Sequence, residues 1–173
     1  ERGATDDAGY AQHLTDREPT GYSVGWGKLY LDASYDGEPL SLLADGRERT
    51  FDTGMFAHAP STICYNDIQD YGYETFESWV GVGASARADG KSARVVFKVV
   101  GDGEVLWESP EMTELSDAEF VSVDISDVHV LELVAEPVDK GAHPNNHTIW
   151  ADASFGKPEA TPWLSASDKE FAI

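Results

Sequence analysis

Residues able to hold a metal, a phosphate or a reacting group are scattered along the chain, and each local pattern meets a physical objection. Asp32-Ala33-Ser34-Tyr35-Asp36-Gly37 sets oxygen side chains at alternate positions with glycine at the sixth, the opening of a loop that wraps a hard cation. A helix-loop-helix calcium loop closes with a bidentate glutamate at the twelfth position; here that residue is Leu43, and no flanking helices are evident. The stretch reads as an Asp/Gly turn between strands, with its oxygens open to a calcium site completed from elsewhere. Gly81-Val82-Gly83-Ala84-Ser85-Ala86 loosely matches a dinucleotide fingerprint, but a pyrophosphate needs a helix N-terminus directly after the glycines, and Arg87 to Lys91 is turn-like. His143 and His147 are four apart, the helical spacing for zinc, yet Pro144 and Asn145-Asn146 between them make a loop. Cys64 is the single cysteine, so an intrachain disulfide is ruled out. Its apolar setting, Thr62-Ile63-Cys64-Tyr65, describes a buried, inert thiol. Paired carboxylates cannot be singled out among 32 acids. No catalytic constellation emerges.

The aromatic residues are more informative. Five Trp, seven Tyr and seven Phe occur in 173 residues. Several sit among turn-forming and amide residues: Trp26 between Gly25 and Gly27, Tyr65 before Asn66-Asp67, Tyr71 and Tyr73 around Gly72, and Trp150 after Asn145-Asn146-His147. A flat ring stacks on the apolar C–H face of a pyranose while fixed polar groups hydrogen-bond its hydroxyls. Rings of this kind in polar loops therefore point to sugar recognition.

The elements that would position those rings are strands. Val95, Phe97 and Val99 alternate with Arg94, Val96 and Lys98, and Gly101-Asp102-Gly103 turns the chain into Val105-Leu106-Trp107, a hairpin signal. Val121, Val123 and Ile125 alternate in the same way, followed by Val128 to Ala135 and Thr148 to Phe155. Upstream, Val24 to Leu31, Arg47 to Phe51, Ser61 to Tyr65 and Thr75 to Val82 also read as strands. The one helical turn expected lies near Met112 to Ala118. Eight to ten short strands with polar turns predict an all-β fold, an antiparallel, jelly-roll-like β-sandwich. Trp79 and Trp107 fall within strand runs and are assigned to the core.

Charge narrows the partners. Twelve basic residues against 32 acids leave a formal charge of −20, which opposes binding to nucleic acid or to an anionic membrane surface. No apolar run approaches the roughly 20 residues of a spanning helix. Between Gly101 and Glu136 there are eleven acids and no Lys or Arg, the composition of a solvated acidic face. Residues 1–20 and 158–173 lack periodicity and are expected to be flanks of a module over 21–157, itself a piece of a longer chain. Trp163, Leu164 and Phe171 in the second flank are apolar enough to dock on it.

Five stretches in order carry a resemblance: Val24-Gly25-Trp26-Gly27 with Asp32-Ala33-Ser34; Gly54 to Ile63, which includes His58; Phe76-Glu77-Ser78-Trp79-Val80-Gly81-Val82; Val95 to Gly103; and His147-Thr148-Ile149-Trp150-Ala151-Asp152-Ala153. Together they resemble the NPCBM domain, carbohydrate-binding module family 51. The resemblance implies a non-catalytic β-sandwich, commonly calcium-containing, joined to a secreted bacterial glycoside hydrolase and recognising galactose-type glycan ends. Under this reading, Trp26 and Trp150 are the stacking residues. His58, Asn66, Asp67 and His147 form the polar set, and Asp32, Asp36 and Asp152 hold a structural calcium that ties an early loop to the last strand. Asn146 stands where an acid is expected before the histidine of the last stretch. The alternatives are a small glycosidase in its own right, a spacer domain without a sugar site, and an adhesin-type lectin.

Overall fold

The computed structural model describes residues 12–88, 92–139 and 145–156. They form thirteen strands, β1 to β13: Gln12–His13, Gly21–Ser23, Tyr30–Leu31, Leu40–Ala44, Arg47–Phe51, Gly54–His58, Ser61–Tyr65, Thr75–Val82, Val95–Gly101, Glu104–Glu108, Glu119–Asp124, Leu131–Pro137 and His147–Gly156. One sheet runs β11-β8-β13-β6-β3, with β1 beside β13; the other runs β10-β9-β12-β7-β2; β4 and β5 make a separate hairpin. Strand pairing is antiparallel throughout. The antiparallel sandwich expected from alternation is thus observed, with more strands than the eight to ten counted from sequence.

The main core fills the space between the two sheets. Val95, Phe97 and Val99 from β9 and Leu131, Leu133 and Ala135 from β12 meet Met55, Ala57, Phe76, Val80, Trp150 and Phe155 from the facing sheet. Trp150 lies at the centre with no exposure. Its ring is edge-on to Phe97 at 5.3 Å and 6.2 Å from Phe76. A second, smaller core lies on the opposite face of the first sheet. There Leu40, Leu42 and Phe51 of the β4–β5 hairpin cover Phe56, Ile149 and Ala151. Gly81 admits this cover, since a Cβ there would sit 3.0 Å from Leu42 Cδ2.

That second core explains why β6 was missed in the sequence. All five residues of β6 are buried, so Gly-Met-Phe-Ala-His shows no apolar/polar alternation for the eye to find. Val24 to Leu31 is not one strand: 24–29 is a loop after β2, and only Tyr30–Leu31 pairs, as β3. Met112 to Ala118 holds one hydrogen-bonded turn, in which the Ser116 amide donates to Thr113 O, and no helix; Met112 bridges to Val95, and the Ala118 amide donates to Leu43 O. A five-residue helix, α1 (Ala84–Ala88), does follow the Gly81–Gly83 run and takes in Arg87 and Ala88 of the turn expected there; 89–91 lie outside the described residues. Residues 12–20 contribute β1 and the fully buried Leu14, so ordered structure begins ahead of the boundary drawn at residue 21. The flank 158–173 and His143 lie outside the described residues.

The acid-rich stretch also staples turns. Asp102, with φ of 50°, accepts the amides of His129 and Val130 and donates its own amide to Val130 O. Asp124 accepts the amide and hydroxyl of Ser126. These hydrogen bonds hold both carboxyls below the ordinary aspartate value. A carboxyl depressed in the folded state contributes stability above its unfolded pKa of about 3.9 and loses it as pH falls through the depressed value. Asp102→Asn is expected to lower the melting temperature near pH 7 and to narrow the difference between melts at about pH 7 and about pH 3. Trp150→Ala should cost about 3–5 kcal/mol in urea unfolding; a loss near zero would contradict the central packing described for this ring.

Candidate functional site

The register of β6 and β13 sets His147 directly opposite His58. Both side chains leave the sheet on its outer face, at the edge of the second core, with ring centroids 5.4 Å apart. Each ring is fixed through Nδ1. That of His58 lies 2.8 Å from Ala59 O; a carbonyl only accepts, so this nitrogen carries the proton and Nε2 is the acceptor of the neutral ring. His147 Nδ1 lies 2.7 Å from Ser85 Oγ on α1.

Trp26 reaches this pair because of the residue before it. The Gly25 amide donates to His58 O at 2.9 Å. A Cβ on Gly25 would meet Ala59 O at 2.6 Å and Pro60 Cδ at 2.8 Å, so only glycine lets the loop lie this low. The indole then stands 6.2 Å from the His58 ring and edge-on to Tyr35 at 5.5 Å. Tyr35 in turn packs on His147 and Phe56 at 5.3 and 5.4 Å. Trp26 is 53% exposed, against 8% for His58 and 5% for His147. The arrangement is an open indole backed by two oriented imidazoles and a phenol ring.

Three residues singled out from sequence therefore converge: Trp26, His58 and His147. Trp150 does not join them and is corrected to a core residue. It lies three positions after His147, and the period-2 pleat sends it to the inner face, where a fully buried ring cannot stack on a ligand. That parity was available in the sequence. Asn66 and Asp67 are also placed elsewhere. They follow β7, a five-residue strand spanning about 13 Å from the Ala59-Pro60 corner. The Asn66 amide donates to Thr20 Oγ1, its Oδ1 accepts from Cys64, and Asp67 starts a one-turn 3-10 helix in left-handed backbone. Cys64 is half-buried on the outer parity of β7, not buried as expected; desolvation first and Glu132 second raise its thiol pKa.

Tyr35 and Ser85 were missed. Tyr35 stood inside the stretch weighed as a cation loop, although an aromatic among Asp, Ser and Gly is the same signal that marked Trp26. Ser85 carried no signal in sequence. Asn146 is buried and serves the backbone: its Oδ1 accepts the Arg94 amide and its carbonyl the Ala59 amide.

The three aspartates do not form one metal site. Asp32 and Asp152 flank the Thr53–Gly54 step: Asp32 Oδ1 accepts the Gly54 amide, and Asp152 Oδ1 lies 3.4 Å from Thr53 Oγ1 and from His13 Nδ1. Asp36 caps the Glu38 amide in the turn next to Tyr35. Among the described residues no three His, Cys, Asp or Glu side chains group to hold a metal ion.

Residues 11–156 match the NPCBM/NEW2 domain model. The chain belongs to the NPCBM/NEW2 family. NPCBM domains are non-catalytic carbohydrate-binding modules, and the solved relatives agree with the sandwich described above. The module from a Clostridium perfringens GH95 protein, solved with methyl-galactose, is 31% identical with a TM-score of 0.76, over 84% of this chain and 99% of that one. CBM51-2 of Clostridium perfringens ZmpB, solved with GlcNAc and INT domains, is 30% identical with a TM-score of 0.80, over 87% of this chain and 32% of that one. A Renibacterium salmoninarum protein named "Putative endo-alpha-N-acetylgalactosaminidase" is 29% identical over 139 residues, which is 77% of this chain and 8% of that protein.

Gly25→Ala tests how the NPCBM loop is seated. The added methyl must lift the loop from Ala59–Pro60, so acrylamide quenching of tryptophan fluorescence should rise above that of the parent chain. Unchanged quenching would refute the close seating.

Proposed function

We propose that this NPCBM module binds the terminal galactose-type sugar of a glycan through Trp26, backed by His58 and His147, and tethers a secreted bacterial glycoside hydrolase to its substrate. The exposed indole over a paired, oriented set of imidazoles carries this reading. The axial hydroxyl of galactose leaves one ring face lined by C–H groups, a surface suited to a flat indole, and an imidazole edge supplies the polar complement. The methyl-galactose complex of a relative matched over almost its whole length supports the sugar class. The ZmpB module with GlcNAc is equally similar, so the choice between the two sugars rests on the stacking argument. Tethering raises the effective concentration of substrate at an attached catalytic domain; the hydrolase-like name of the Renibacterium protein supports that setting.

Calorimetric titration with methyl-galactoside, N-acetylgalactosamine, GlcNAc and glucose tests the reading. Binding is expected to favour the two galactose-configured sugars, and Trp26→Ala should weaken it about tenfold, the loss of one stacking contact of up to about 1.5 kcal/mol, without lowering the melting temperature. Tighter binding of GlcNAc, or an unaffected Trp26→Ala variant, overturns it. A structural calcium is proposed on Asp32 and Asp152 alone. Two carboxylates give fewer than the six to eight oxygens calcium takes, so backbone carbonyls must complete the shell. A chelator then lowers the melting temperature; an unchanged value removes the ion.

A further inference from the structure

Ser85, whose Oγ holds His147, also lines an open cleft of about 360 Å³. Its walls carry the hydroxyls of Ser34, Ser41, Thr50 and Ser85, the carboxylates of Asp36, Glu38 and Glu48, and the apolar side of Ile149. Ser34 is 7% exposed, and its Oγ has no hydrogen-bond partner among the described residues. A buried hydroxyl without a partner costs stability, and here it borders an opening of ligand size. The cleft also adjoins the proposed galactose site, since Ser85 Oγ holds His147 and Ser34 precedes Tyr35, whose ring packs on both His147 and Trp26.

We infer that this cleft is a second sugar subsite, taking the uncharged penultimate residue of the glycan whose terminal galactose sits on Trp26. This rests on the function proposed above and adds to it a length and a charge requirement. A row of hydroxyls and carboxylates matches the alternating donors and acceptors of a neutral sugar. A cation is a poor fit, because no three of these acids group closely enough to hold a metal ion among the described residues. An anionic sugar is worse. Arg87 answers the charge of Glu48 at 3.1 Å, but no cation pairs with Asp36 or Glu38 among the described residues, and like charges brought together in a partly buried cleft repel.

The experiment compares methyl-galactoside, N-acetyllactosamine, and N-acetyllactosamine sulfated at O6 of its GlcNAc, by calorimetry on the full chain. N-acetyllactosamine should bind at least about fivefold tighter than methyl-galactoside, the gain of one or two net hydrogen bonds. Ser34→Ala should erase that gain and leave methyl-galactoside binding unchanged. Its backbone bonds, from the Ser34 amide to Glu38 O and from the Gly37 amide to Ser34 O, survive the substitution. The sulfated disaccharide should bind about tenfold more weakly than the unsulfated one, a gap that Asp36→Asn with Glu38→Gln narrows. Equal affinity for one sugar and two, an indifferent Ser34→Ala, or no penalty for sulfate overturns the subsite while methyl-galactoside binding keeps the terminal site standing. No binding by any of the three overturns both.

Discussion

The antiparallel pairing of β6 with β13 is the constraint on which the rest of the molecule depends. One register puts His147 against His58 on the outer face and Trp150 against the core on the inner face. Because side chains alternate with period two, a slip of one residue would exchange the two faces completely. The slip is blocked from both sides. Trp150 fills the space between the sheets, while Phe56 and Ile149 lie under the β4–β5 hairpin. Gly54 adds a steric pin, with φ of 144° and no room for a Cβ against Trp150 O. The same packing that stabilises the sandwich thus fixes two imidazoles within one ring-to-ring distance at its surface.

The loops complete what the pairing begins, and they do so through backbone contacts. Gly25 holds its loop on His58 by one main-chain hydrogen bond, and the close approach at Ala59 and Pro60 sets the height of Trp26. Tyr35 reaches the same cluster from the turn between β3 and β4. Recognition residues carried on loops over a rigid sheet are a common division of labour. Here the loops can change their side chains while the histidine pair stays in place.

Legibility in the sequence followed burial. Strands with one face to the core and one to water, such as β9 and β12, announced themselves by alternation. β6 did not, because the β4–β5 hairpin just before it in the chain folds back over its second face. The galactose reading came from motif resemblance and aromatic context, and the fold places Trp26, His58 and His147 in one cluster. Trp150 failed by parity and Asn66 and Asp67 by position at the wrong end of β7; a polar or aromatic residue near a turn says nothing about which end of the sandwich that turn occupies. Tyr35 and Ser85 meet the site through tertiary contacts alone. The acid excess read as a solvated face holds in part, yet Asp102 and Asp124 each clamp a turn, which composition cannot reveal.

The pairing of β1 with the far end of β13 has a mechanical corollary. Gln12 lies beside Phe155 and His13 beside Ser154, so the described chain enters and leaves at neighbouring points. His147 is at the other end of β13, about 20 Å away along the strand. The indole and imidazoles therefore lie at the opposite end of β13 from the points where the described residues enter and leave the sheet, so the open rim around Trp26 is kept clear of both.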